Sequence, residues 1–513
     1  MRVFSFLFCL LFILAACGAL GQTSSQQRVP TETPLSSLAQ PSAAPIVVRS
    51  TATPALVQPS AALTVVQPTT TPALAQPSAT PLPGSGVLLA VHDPLDSRDE
   101  IHLVDPETGQ DVPDYPPFLT VPYLLSPDGK QLAAIESHGQ SCEASGGGTA
   151  CRWSADVLHL VDLHSWREVT ATLSAQGWAG PSSFHPASRS LAVVINEQQS
   201  STLLLFDTGT GQAITQRSLP FRPTLMQHTE DGTMLAIYGQ PLSSNPGMVK
   251  PDPPRVLLLD ATTLDITWEQ QLASILSGDW CLENCQASHE KRLFASWIPA
   301  VVFSSDGRKL YLVHADAERL TTVDFIARSV SSVDIQTAQG WVEKLLDLAA
   351  GVAEAKGGTN GAAKTAVLAP DGTKLYLIGG TYTATRDPQG DWQNADDSLG
   401  LQVIDVASGR KLASYDTRAR WWIRISPDGT FVFLTDSDGQ QWSTEVIDTN
   451  SLQRVAQLEK WEVLPTRRLD GQPILLASQL PGQPSQLAVL DPRSFAVMHS
   501  WSVNGYASWV TTP

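Results

Sequence analysis

Apart from Cys9 and Cys17 near the start, the cysteines form two close pairs, Cys142 with Cys151 and Cys281 with Cys285. In an oxidising compartment such spacing predicts the local bridges Cys142–Cys151 and Cys281–Cys285, each clamping a loop without regular structure. A zinc site built from Cys281, Cys285 and His289 lacks an evident fourth ligand, so no metal is expected there. Asp387, Asp391, Asn394, Asp396 and Asp397 crowd oxygen ligands into one segment. Their spacing fits no EF-hand loop and reads as a solvated acidic loop. The chain carries no Gly-x-Ser-x-Gly elbow, His-Glu-x-x-His, phosphate loop, dinucleotide glycine motif or Cys-x-x-Cys-His. Its 10 histidines are scattered, and no catalytic residue or cofactor is assigned. Trp153, Trp280, Trp297 and Trp392 remain as candidate contact residues. Such rings suit contact with carbohydrate, peptide or protein, or else pack their own loops.

The elements that would position these residues repeat from residue 86 onward. A short apolar strand runs into a turn such as Ser126-Pro127-Asp128-Gly129. A second strand follows at once, a third ends on aspartate, and a fourth alternates. Proline presets φ at the first turn position, and glycine takes the left-handed position that closes a tight hairpin. The turn recurs at Ser305-Asp306-Gly307, Pro370-Asp371-Gly372 and Pro427-Asp428-Gly429, and in weaker form at Asp231-Gly232, Asp470-Gly471 and His185-Pro186-Ala187. Third-strand aspartates fall at Asp105, Asp162, Asp207, Asp260, Asp324, Asp405, Asp448 and Asp491, where each side chain can bond amides two or three residues on. Four-strand units of roughly 43–45 residues are the signature of a β-propeller. Residues 86–513 are therefore expected to form an all-β propeller of eight blades, with seven as the alternative. The first unit lacks a first strand, and the spare strand Tyr506-Ala507-Ser508-Trp509-Val510 is expected to supply it and close the ring.

The long insertions fall at two kinds of connection. Residues 138–154, 239–254 and 381–399 separate second from third strands, and residues 273–298 and 336–364 lie between one unit and the next. In a propeller both connections open on one face, so that face is the expected interaction surface. Trp341, Leu345, Leu348 and Val352 are spaced as on an amphipathic helix over residues 340–355.

Leu310-Tyr311-Leu312-Val313, Leu375-Tyr376-Leu377-Ile378 and Val403-Ile404-Asp405 resemble the YVTN-type propeller repeat. The Ser-Pro-Asp-Gly turns are similar to the WD-like repeats of the periplasmic Tol–Pal propeller. These families imply extracytoplasmic binding or scaffolding, with a minority of enzymes such as quinoprotein dehydrogenases and lactonases. They carry no transferable catalytic residues, and fold does not fix function.

Arg2 followed by the apolar run of residues 3–16 reads as a signal segment over residues 1–16. Leu14-Ala15-Ala16-Cys17 resembles the lipobox of bacterial lipoproteins, which implies that Cys17 is acylated and begins the mature chain. Residues 17–85, rich in Pro, Thr, Ser, Ala and Gln, read as a disordered tether, because so few apolar groups cannot repay chain ordering. The expected location is the cell envelope, on the outer face of a membrane. With 33 Lys and Arg against 50 Asp and Glu, the net charge is −17, which excludes nucleic acid as a favoured partner. A monomer that binds an envelope protein, peptide or glycan is the leading expectation. A propeller enzyme (hydrolase, lactonase or quinoprotein-like oxidoreductase) with a site at the channel mouth is the alternative.

Overall fold

The computed structural model describes residues 86–509 apart from short internal stretches, of which 241–252, 284–292 and 337–360 are the longest. The signal segment, Cys17, the tether, Cys285, His289 and the expected helix over residues 340–355 lie outside the described residues. Every regular element among the described residues is a β-strand.

The strands form a propeller of seven four-stranded blades, together with one sheet enlarged to seven strands. Seven is the number given above as the alternative; a set of eight four-stranded blades is not met, because the unit around residues 361–415 recruits three further strands. The third unit shows the plan. Trp178–Phe184, Ser190–Asn196, Ser201–Asp207 and Ala213–Leu219 pair antiparallel in chain order. Its second strand is buried along its whole length and its fourth is largely exposed. That gradient explains the sequence pattern. A strand with a neighbouring sheet on each face needs apolar residues throughout, whereas an outer strand needs them only on alternate positions.

Tyr506–Trp509 pairs antiparallel with Val87–Asp93, from Leu89 opposite Trp509 to His92 opposite Tyr506. The last strand thus completes the first sheet, as expected from the unmatched ends. Buried clusters link each sheet to the next around the circuit. A final one, with Val87, Leu89, Leu476 and Leu487, joins the last sheet to the first. With Tyr506–Trp509 in place the first sheet is four-stranded like its neighbours, and Val87–Asp93 is paired on both sides.

Both turn families hold the geometry that their residues dictate. All eight third-strand aspartates accept backbone N–H bonds from the two or three residues that follow. Four residues past each aspartate the backbone is left-handed, at Gly109, Gly211 and Gly409 but also at Trp166, Leu264, Arg328, Leu452 and Phe495. Several of these side chains offset the strain of a positive φ by plugging the core: Leu264 is fully buried and Phe495 nearly so.

Candidate functional site

In every meander the first and third strands begin, and the second and fourth end, at the same face. The second-to-third and blade-to-blade connections therefore open there, while the aspartate turns occupy the opposite face. The loops expected without regular structure are in fact β-hairpins where they are described. Gln140–Ser145 pairs with Gly148–Trp153, which sets Cys142 directly opposite Cys151. Trp153 ends that hairpin, opposite Gln140.

The other insertions converge on the enlarged sheet. The hairpin Gly278–Glu283 and Leu293–Ile298 leaves one blade and crosses to a different one. There Ser296, Trp297 and Ile298 pair in parallel with Gly361, Ala362 and Ala363 at the start of the inner strand Gly361–Leu368. The 13-residue strand Lys374–Arg386 pairs first with Leu401–Asp405 inside the blade and then, from Gly380 onward, with the returning strand Trp392–Ser398. The result is a five-stranded platform rising from the insertion face. Asp279, Ser296, Gly361, Tyr382 and Asp396 form one cross-strand row, and Gly278, Trp297, Ala362, Thr381 and Asp397 form the next.

Three of the four candidate tryptophans therefore belong to one sheet. In the register Trp280 pairs with Ala295, two residues before Trp297, and Trp392 pairs with Arg386. Cys281 lies opposite Phe294. The structure does not bring Trp153 onto this platform. Asp396 and Asp397, read above as a solvated loop, are strand residues, with Asp397 exposed.

One position locks the platform together. The Tyr382 hydroxyl crosses Gly361 to donate to the Ser296 carbonyl at 2.5 Å. A Cβ on Gly361 would sit 2.0 Å from the Tyr382 ring and 2.3 Å from the Ser296 oxygen, so only glycine fits between them.

Around the ring, the insertion-face ends of the strands hold aromatic and charged residues that sequence reading had passed over. Trp422 stands edge-on to Trp442 at 4.7 Å. Arg424 pairs with the largely buried Glu462 at 2.9 Å. The Arg222 guanidinium lies 5.0 Å over the Trp178 ring. The Lys364 ammonium donates to the carbonyls of His314 and Ala317, tying the enlarged sheet to its neighbour. Burial brings that amine down to about 8, against the opposing pull of Glu318 and Asp316. No group of three or more His, Cys, Asp or Glu residues among the described ones is placed to hold a metal ion.

At the other end of two inner strands, Ser183 Oγ lies 3.0 Å from His228 Nδ1, in the geometry of a nucleophile and its base. Both residues are buried, at 8% and 4% exposure. Burial, then the neighbouring His185, hold the His228 imidazole down at about 3, so it is neutral. Among the described residues no carboxylate orients the imidazole, whose Nε2 has no partner there, and the pair is a strut between two blades.

No family model matches the chain, and no curated protein matches it. Among solved structures it is similar to a dihydro-heme d1 dehydrogenase, NirN, in complex with DHE, with a TM-score of 0.51 and 12% identity over 86% of this chain and 78% of that one. A eukaryotic initiation factor aligns with a TM-score of 0.45 and 12% identity, over 83% of this chain and 99% of that one. The Cps50 (Swd1) β-propeller domain of Myceliophteria thermophila aligns with a TM-score of 0.35 and 14% identity, over 75% and 96%. At such identities the likeness reaches the architecture alone, and the chain is a β-propeller.

Proposed function

We propose that this chain is a membrane-anchored, extracytoplasmic propeller that binds a protein, peptide or glycan of the cell envelope through its insertion-bearing face. The observation that carries this reading is the platform, which gathers Trp280, Trp297 and Trp392 onto one sheet above that face. Insertions confined to one face of a repeat array are how such scaffolds gain a partner without disturbing their cores. The Leu14-Ala15-Ala16-Cys17 segment supports anchoring, with acylation at Cys17 and residues 18–85 as the spacer. The resemblance to YVTN and WD-like repeats supports the same envelope setting.

The test is recovery of a partner from envelope extract by the full chain and by a Trp280→Ala/Trp297→Ala variant. A partner retained by the wild type and lost by the variant supports the reading; equal recovery by both overturns it. A second reading, a propeller enzyme acting at the channel mouth, draws on the Lys364 amine held at about 8. Its engagement by two carbonyls favours a structural role.

A further inference from the structure

We propose that Arg222 and Trp178 form a binding site for a carboxylate monoanion at the insertion-face end of the ring. The inference deepens the reading above, on which it rests for the choice of face, by naming the charge of the ligand.

Arg222 and Trp178 are the first residues of successive inner strands, Arg222–His228 and Trp178–Phe184. These two strands share a feature that the other inner strands lack. Each has a register shift against its second strand just inside the mouth, between Ala179 and Ser182 and between Pro223 and Leu225. The remaining inner strands pair with their second strands in unbroken register among the described residues. A bulge re-aims the side chains beside it, and bulges concentrate next to working sites. Here two adjacent bulges flank one cation–aromatic pair.

The backbone beneath is fixed. Phe221 is fully buried, and Pro223 presets the next φ. A Cβ on Gly239 in the paired strand would fall 2.3 Å from the Arg222 carbonyl, so the chains meet at a distance that only glycine allows.

Among the described residues the guanidinium has no counter-ion. Arg222 Nε is buried with no hydrogen-bond partner, and no carboxylate among the described residues pairs with this side chain. Burial lowers its proton affinity, and no acid opposes that pull. Comparable arginines have acids: Arg424 has Glu462 at 2.9 Å and Arg217 has Asp265 at 3.2 Å. In a chain of net charge −17, acids are not scarce. A half-buried, unpaired donor is costly unless something outside the fold satisfies it.

The guanidinium fork matches a planar carboxylate, and one positive charge balances one negative charge. A phosphate dianion would leave surplus negative charge half out of water. Trp178 keeps the fork flat and excludes water from one side.

The experiment measures thermal unfolding of the full chain with D-glucuronate, D-glucose or inorganic phosphate, in the wild type, Arg222→Met, Arg222→Lys and Trp280→Ala/Trp297→Ala. Glucuronate is expected to raise the wild-type midpoint in a saturable way while glucose does not, since a ligand for the folded state stabilises it. Its affinity is expected to fall about 10-fold or more in Arg222→Met, with Arg222→Lys also weakened, and to survive in the tryptophan variant. A separate readout needs no variant. Glucuronate is expected to slow modification of Arg222 by an arginine-selective dicarbonyl, mapped by mass spectrometry, and not that of the exposed Arg418. Equal glucuronate response in wild type and Arg222→Met, a larger response to phosphate, or unprotected Arg222 overturns the proposal. If glucuronate fails while the envelope partner is still captured through the tryptophans, the anion site alone is refuted.

Discussion

Replacing Gly361 by alanine strikes the join between the crossing hairpin and the blade that receives it. The new Cβ would lie 2.0 Å from Tyr382 ring atoms and 2.3 Å from the Ser296 carbonyl oxygen. The tyrosine can swing aside at the loss of its hydroxyl bond, about 1 kcal/mol. The carbonyl belongs to the backbone, so relieving that contact means parting Ser296–Ile298 from Gly361–Ala363, an overpacking cost of about 1–3 kcal/mol. The sum, about 2–4 kcal/mol, falls on the platform and spares the ring, whose clusters lie elsewhere. Tyr382→Phe removes only the hydroxyl and is expected to cost about 1 kcal/mol. Hydrogen exchange read by mass spectrometry separates local from global effects. Peptides over residues 293–298 and 361–366 are expected to exchange roughly 30- to 1,000-fold faster in Gly361→Ala, while Ser190–Asn196 is unchanged. Protection within about twofold of wild type at both platform strands, or loss spread over all sheets, would refute the reasoning.

Three further outcomes are expected. His159 sits between Glu168 and Glu136; burial pulls its pKa down, but the two carboxylates outweigh burial and the net shift is upward from 6.5. Its contribution to stability is then full below about 6.5 and lost as pH rises through the folded value, so the urea-unfolding deficit of His159→Gln should shrink from pH ~6 to pH ~9; a constant deficit would contradict this. Ending the chain after Val503 removes Tyr506–Trp509 and strips the partner from the Leu89–His92 edge. That variant should aggregate or elute as oligomers in size-exclusion chromatography, and a monomer with the wild-type melting curve would speak against closure. Cys142 and Cys151 face each other across a hairpin, a placement within disulfide reach. Non-reducing peptide mapping of the protein kept under oxidising conditions should recover them linked, and two free thiols would count against the bridge.

The propeller was legible because its turns are chemically explicit. Aspartate followed by glycine, and aspartate accepting its neighbours' amides, recur at fixed places, and each builds one turn whatever surrounds it. Five left-handed positions escaped notice because Trp166, Leu264, Arg328, Leu452 and Phe495 do the work usually given to glycine. At Trp166, Leu264, Leu452 and Phe495 packing against buried clusters outweighs a conformational preference that is only local, whereas Arg328 is exposed and nothing in the structure explains it. The insertions read as loops because Gln140–Ser145 and Trp392–Ser398 are polar and short, without the apolar alternation of a half-buried strand. Their strand character comes from pairing. The parallel join of Ser296–Ile298 to Gly361–Ala363 unites segments far apart in the chain, which no spacing rule reaches. Trp178 and Arg222 were passed over for a similar reason. They look like ordinary strand residues, and the bulges that set them together arise from register between strands; Pro223 was the sole local hint.

Two exposed isoleucines, one on each face of the ring, allow the most direct test of the binding face. Ile298, 43% exposed, ends the crossing strand on the insertion side, and Ile326, 59% exposed, lies in the aspartate turn on the other. A photo-crosslinking phenylalanine analogue at each position, irradiated in intact envelopes, should capture a discrete partner from position 298 and none from position 326. Capture from position 326 alone, or equally from both, would contradict the assignment of the insertion face as the surface that meets the ligand.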